Sequence, residues 1–166
     1  MLEQMLAGPI LFLDIDGVLN SHVWFEKQKL DDAMIWHPRQ RTEARPTYPE
    51  YMLDPMAIQR LNTVCQTHCA NIVVTSTWRL IHSITALREM LYRQGLQHRY
   101  QQDSPVWTFG NIIDVTPKSR QGLKTRGDEI QFWLDHYGYR VPKMAIVDDS
   151  YDDISHLKHW LVNTTF

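Results

Sequence analysis

Ile10-Leu11-Phe12-Leu13-Asp14-Ile15-Asp16-Gly17-Val18-Leu19-Asn20 is the stretch on which the fold turns. Its first four residues are a continuous apolar run, as expected of a strand buried on both faces of a parallel sheet rather than of a half-exposed strand, which would alternate. Asp16-Gly17 then supplies turn chemistry and stops the strand. A buried strand that delivers two carboxylates at its C-terminal end is informative, because open parallel sheets bind ligands outside the carboxyl ends of their strands.

The same pattern recurs on the C-terminal side. Ile72-Val73-Val74 closes on Thr75-Ser76-Thr77, Ile112-Ile113-Asp114-Val115 reads as a third strand, and Met144-Ala145-Ile146-Val147 ends in Asp148-Asp149. Leu161-Val162 begins a closing strand. Helical segments fall between these runs. Asp54 as N-cap with Pro55 in the first turn opens one, whose stripe is Ile58, Leu61, Val64 and Cys65 through about His68. A second spans roughly Ser83 to Gln94, with Ile84, Leu87 and Leu91 inward and Gly95 at its end. A third runs from Asp128 to Tyr137 with Ile130, Trp133 and Leu134 inward, stopped by Gly138. A last one spans about Asp152 to Trp160, with Asp152 as its N-cap. Residues 20 to about 53 carry Pro38, Pro46, Pro49 and many charges with weak periodicity; they read as an insertion holding one short helix near 23–34. Strands alternating with helices predict right-handed crossovers and an α/β fold, a parallel sheet of about five strands covered on both faces.

The totals are compatible with one domain over residues 1–166: 166 residues, 43% hydrophobic, formal net charge -2. That charge predicts no strong non-specific attraction to nucleic acid or anionic membrane. The clusters Arg39, Arg41, Arg45 and Lys118, Arg120, Lys124, Arg126 are read as solvated loop charges. Cys65 and Cys69, four apart, are expected to pack on a helix rather than bridge or bind zinc, since the neighbouring His68 lacks a second ligand pair. Met1 to Gly8 lacks the long apolar run of a secretory signal, and no stretch of the chain is apolar enough to span a membrane. A reducing, cytoplasmic setting is the resulting expectation, with no obligate protein partner evident.

Four carboxylates gathered at one sheet edge would repel one another. Two unit charges about 4 Å apart cost roughly 4 kcal/mol at a surface-like effective dielectric. Asp14, Asp16, Asp148 and Asp149 therefore call for a cation, and an all-oxygen donor set favours a hard one, Mg2+ over zinc. Such an ion leaves room for a phosphate oxygen, which suits phosphoryl transfer. Thr75 is placed to hold other phosphate oxygens, and Arg126 to offset remaining charge.

Leu13 to Asn20 resembles the first motif of the haloacid dehalogenase (HAD) superfamily. The remaining pieces follow in matching order: a strand ending in Thr75, a basic residue before a helix at Arg126, and Ile146-Val147-Asp148-Asp149. Thr75-Ser76-Thr77-Trp78-Arg79, with Thr116-Pro117 and Arg126-Gly127-Asp128-Glu129-Ile130, looks like the HAD branch associated with nucleic-acid end repair. The resemblance implies a HAD-type Rossmannoid fold with a small cap insertion. It also implies a magnesium-dependent phosphomonoester hydrolase, with a nucleotide or a nucleic-acid terminal phosphate as the expected substrate. Asp14 would attack phosphorus and form an aspartyl-phosphate. Asp16 would protonate the leaving oxygen and later deprotonate water. Magnesium would sit on the Asp14 side chain, the Asp16 carbonyl and a carboxylate of Asp148 or Asp149. Thr75, or Ser76 by a one-residue ambiguity, would bond a phosphate oxygen. Arg126 stands where lysine is commoner, and Lys118 and Lys124 compete for that role.

The same residues admit other readings. Asp-x-Asp-Gly also occurs in calcium loops, but Val18-Leu19 follow here instead of further acids. A phosphotransferase or mutase on the same fold, and a catalytically silent phosphate-binding module, are the functional alternatives. Arg79 is expected either to touch a substrate phosphate or to pair with an acid. Trp24, Phe25, Trp36, Tyr48 and Tyr51 form either a cap that stacks on substrate or a small core that holds the insertion. His82, His156 and His159 are taken as helix-face or surface groups. Asp152 and Asp153 could also support the metal indirectly.

Overall fold

The structure is a computed structural model that describes residues 8–27, 53–99, 109–117, 122–137, 141 and 143–164. The buried apolar runs form five strands: β1 (Ile10–Leu13), β2 (Asn71–Val74), β3 (Ile112–Val115), β4 (Met144–Asp148) and β5 (Leu161–Asn163). They make one all-parallel sheet in the order β3-β2-β1-β4-β5. Helices α1 (His22–Lys27), α2 (Pro55–His68), α3 (Ile84–Arg93) and α4 (Arg126–Tyr137) connect them, with 3₁₀ segments at Thr77–Leu80 and Asp152–Trp160. β1 lies at the centre of the sheet, so the acids that follow it emerge in the middle of the C-terminal edge.

Both faces are covered, as continuous apolar strands require. Leu11, Leu13, Ile72, Val74 and Ile112 pack with Ile58, Leu61 and Cys65 of α2 and Leu87, Met90 and Leu91 of α3. The alternate residues Ile10, Phe12, Val73, Ile113 and Ile146 pack with Ile130 and Trp133 of α4 and with Ile154 and Leu157. Alternation along each strand sorts its side chains between these two cores.

Local signals explain most boundaries. The Asp54 side chain accepts a hydrogen bond from Met56 N, with Pro55 in the first turn of α2. Ser83 caps α3 through Ala86 N, and Gly95 follows its end at φ 97°. Other expectations need correction. Val64 is 43% exposed, and Asn62 takes the inward position instead, where its amide bonds Gly95 O and Gln97 N. The final helix spans Asp152–Trp160 as expected and is of the 3₁₀ type: Ile154 and Leu157, both buried, are three apart and share a face at three residues per turn. Its N-cap is Tyr151, and no side chain caps it, so Asp152 does not take that role. Helix α4 starts at Arg126 rather than Asp128, because Thr125 and Asp128 form a reciprocal cap.

The two cysteines are free thiols; Cys65 is buried, which pushes its pKa up to about 12 and leaves it inert, and Cys69 ends α2 at φ 51°. Of the expected insertion, α1 is described: Phe25 is buried and Trp24 packs beside it against the α2–α3 core. Trp36, Tyr48, Tyr51, Gly138 and Lys118 lie outside the described residues. Among the described residues no helix is long and apolar enough to cross a membrane.

Candidate active site

Sheet register assembles the site. Leu13 pairs with Val74 on one side and Val147 on the other, and Val74 pairs with Val115. The residues that follow, Thr116, Thr75, Asp14 and Asp148, therefore form one row across four neighbouring strand ends. Ladder bonds hold the row in place: Asp14 N donates to Val147 O (3.0 Å), Thr75 N to Leu13 O (2.8 Å) and Thr116 N to Val74 O (3.0 Å).

All four of these residues are buried, and their polar atoms are unevenly satisfied. Arg126 Nη1 donates to both Asp14 Oδ2 and Asp148 Oδ2 at 2.6 Å. Asp148 Oδ1 accepts from Ser150 N at 2.9 Å, so both its oxygens have donors. Among the described residues, Asp14 Oδ1, Thr75 Oγ1 and Thr116 Oγ1 are buried without a hydrogen-bond partner. Unpaired buried groups are rare in folded proteins because each one costs its desolvation. Here three of them cluster on adjacent strands. Ser76, in contrast, uses its hydroxyl to accept from Trp78 N at 3.4 Å.

Asp14, Asp148 and Asp149 each bring a carboxylate oxygen within 4.8 Å of the others. Asp149 is exposed and lies over Gly17, where any Cβ would collide with its carboxylate; Gly17 also has φ 71°, so the position suits glycine on both counts. The Asp16 side chain points elsewhere. Its carboxylate accepts from Trp78 Nε1 (2.9 and 3.1 Å) and from Asn20 Nδ2 (3.0 Å), and Asn20 Oδ1 accepts from Gly17 N (2.9 Å).

Proton affinities follow from this crowding. Burial pushes the Asp148 carboxyl up to about 6; the Arg126 ion pair opposes the rise without cancelling it, and Asp14 adds to it. Burial, then the Asp14 charge, raises Asp149. Asp16 is raised mainly by burial and further by Asp14, against the donors Asn20 and Trp78. Burial alone would lower the pKa of Arg126, but Asp14 and Asp148 more than reverse this and keep it a fixed cation.

The site residues expected from sequence fall as follows. Asp14, Thr75, Arg126, Asp148 and Asp149 meet at the sheet edge, with Asp16 beside them. Lys124 donates its backbone N–H to Asp128 at 2.9 Å, in the cap of α4. Arg79 is buried behind the row rather than facing it. Its Nη1 donates to Thr75 O and to Ser76 O (2.8 Å), its Nε to Thr116 O (3.1 Å), and its Nη2 pairs with Glu129. Of the two roles weighed for Arg79, its contacts are those of the ion pair with an acid. Sequence reasoning did not find Glu129, Trp78 or Asn20 as partners in the site. The Asp16–Asn20 bond spans one helical turn and is legible in principle, whereas Trp78 is 62 positions from Asp16 and no spacing rule links them.

A central parallel strand ending in Asp-x-Asp, a hydroxyl residue after the second strand, a cation on the helix after the third and an acid pair at the end of the fourth are the arrangement of the HAD class of phosphatase-type hydrolases. A family model described as the HAD domain in Swiss Army Knife RNA repair proteins matches residues 10–166, and the chain belongs to that family. No curated protein and no solved structure matches it.

Proposed function

We propose that the protein hydrolyses a terminal phosphomonoester of a nucleic acid through a phosphoenzyme on Asp14, with Mg2+ as cofactor. The observation that carries this reading is the division of labour on Asp14: Oδ2 is held by Arg126 while the buried Oδ1 has no partner. Such an oxygen is oriented and open to a new contact. The family's place in RNA repair supports the substrate class.

The residues fit a divalent cation. Three carboxylates converge, one of them has a buried oxygen without a partner among the described residues, and the Arg126 guanidinium pairs with two of the acids. Because Arg126 and Ser150 already occupy Asp148, the carboxylates of Asp14 and Asp149 are assigned as ligands, with the Asp16 carbonyl as third. The ion would screen the carboxylates and draw charge from a phosphate oxygen.

The chain's own groups then divide the work. Thr75 Oγ1 donates to a phosphate oxygen, which gives that hydroxyl its partner. Arg126 places positive charge where the phosphoryl group gains negative charge. Asp14 forms the bond to phosphorus as the ester P–O bond breaks, and the Asp16 proton passes to the leaving oxygen. Asp16 then takes a proton from water as that water cleaves the acyl phosphate, which restores both carboxyl groups.

The test is phosphate release, with and without magnesium, from sugar phosphates, nucleotides and oligonucleotides phosphorylated at either end. Expected is magnesium-dependent release, fastest from oligonucleotide ends, and its loss in Asp14→Asn with the fold retained by circular dichroism. Turnover by Asp14→Asn at the wild-type rate would refute the nucleophile, and phosphate that appears only with an alcohol acceptor would make the enzyme a transferase.

A further inference from the structure

Trp78 is the one aromatic residue whose polar atom reaches the reaction residues among the described contacts. Its ring is 5% exposed and belongs to the apolar core beside α2 and α3. Its indole N–H leaves that core and points at Asp16, 2.9 Å from Oδ2 and 3.1 Å from Oδ1. Asn20 Nδ2 meets Oδ1 from another side at 3.0 Å, and is itself oriented by Gly17 N. Asp16 sits on a half-buried turn and has rotamers to choose from; two donors from different segments select one. Indole is a donor only, so Trp78 cannot carry the proton itself.

We propose that Trp78 is a positioning residue that, together with Asn20, holds the Asp16 carboxylate in place for proton transfer to and from the reacting oxygens. The inference rests on the reaction assigned above and extends it. The segment that follows Thr75 then serves two purposes. Thr75 itself holds phosphate, and Trp78, three residues on in the 3₁₀ turn capped by Ser76, sets the acid. A shift in that turn would move both groups at once.

Trp78→Phe keeps a ring in the core and deletes the N–H. With a simple alkyl phosphate, whose leaving alkoxide needs a proton, kcat is expected to fall roughly 10-fold or more, part of what a general acid supplies, with KM nearly unchanged. With 4-nitrophenyl phosphate, whose phenolate leaves without help, the pre-steady-state burst is retained and only the steady state slows. The cycle with Asp16→Ala is decisive for an indirect role: Asp16→Ala combined with Trp78→Phe should be no slower than Asp16→Ala alone, because Trp78 acts through Asp16. Losses that multiply, or a Trp78→Phe enzyme equal to wild type on the alkyl ester, would overturn the proposal.

A second arm needs no turnover. The six tryptophans give six indole N–H signals in a ¹⁵N-labelled sample. With Trp78 assigned by triple-resonance methods in the wild type, its N–H signal is expected to move in Asp16→Ala more than the other five. An unmoved signal would remove the contact and the proposal with it. If the wild type releases phosphate from no ester, the assigned reaction fails, and this arm still decides whether Trp78 holds Asp16. It also decides the matter if Trp78→Phe does not fold.

Discussion

Thr75 and Thr116 bury hydroxyls that have no hydrogen-bond partner among the described residues, and such groups burden the folded state. Replacing either by valine keeps the shape and removes the unsatisfied atom. Thr75→Val should therefore leave stability unchanged or raise it by about 1 kcal/mol in urea unfolding, while kcat/KM falls on the order of 100-fold. Thr116, one strand farther from Asp14, should show the same stability effect with a smaller loss of activity. A Thr75→Val protein that is less stable and fully active would show the hydroxyl to be structural. Gly17→Ala makes the complementary case, in which both stability and function suffer. It forces a side chain into φ 71° and displaces Asp149, so magnesium affinity, measured by calorimetry, should drop along with activity. At this scale the sequence was partly legible. Asp14 and Thr75 stand out as candidates because each follows an apolar run, and Asp16 because it opens the turn after the first run. Which of the Thr75 and Ser76 hydroxyls is already engaged, by contrast, is a fact of local geometry that spacing does not carry.

Elements matter here through how they are tied together. The buried Arg79–Glu129 pair connects the ends of β2 and β3, through the carbonyls of Thr75, Ser76 and Thr116, to α4 three residues after Arg126. Burial lowers the pKa of Arg79 and raises that of Glu129, each against the pull of its partner. A buried pair of this kind is costly to form and costlier to break on one side. Glu129→Gln should destabilise the protein by about 3–5 kcal/mol by leaving the guanidinium without its counter-charge. In the same variant Arg126 should shift and phosphate release should slow. Equal denaturation midpoints for wild type and Glu129→Gln would mean the pair contributes no tether. Helix α4 is further fixed by the Thr125–Asp128 cap and by Gly127, where any side chain would collide with His156. Strand and helix order was legible from apolar runs, Asp54-Pro55 and Gly95. The Val64 position and the 3₁₀ character of Asp152–Trp160 were not, because Asn62 turned inward for hydrogen bonds and the i, i+3 spacing of Ile154 and Leu157 admits either helix type.

On the scale of the whole molecule, the fold holds its acids together against their mutual repulsion, which protons or the proposed metal would relieve. The order of the pieces along the chain made this convergence legible, since parallel strands must bring their carboxyl ends to one edge; the depth of burial, which sets the proton affinities, was not legible. Asp148 illustrates the consequence. Its folded pKa, about 6, lies above the ordinary carboxylate value of 3.8. The folded state therefore binds this proton more tightly than the unfolded chain does. That contribution is complete below the unfolded pKa and is lost as pH rises through about 6, with Asp16 and Asp149 acting in the same direction. In EDTA, the melting temperature should thus rise as pH is lowered from about 8 to about 5.5, by an amount reflecting about 1 kcal/mol from Asp148, with the rest of its contribution gained only at lower pH. Magnesium bound at the proposed site would favour the ionised acids instead. It should raise the melting temperature most at the alkaline end, by mass action on the folded state, and flatten or invert the pH slope. Asp149→Asn should blunt the magnesium effect, and Thr75→Val should leave it intact, because only the first removes an assigned ligand. A melting temperature that ignores both pH and magnesium across this range would mean that the acids do not share a cation, and the proposed chemistry would lose its basis.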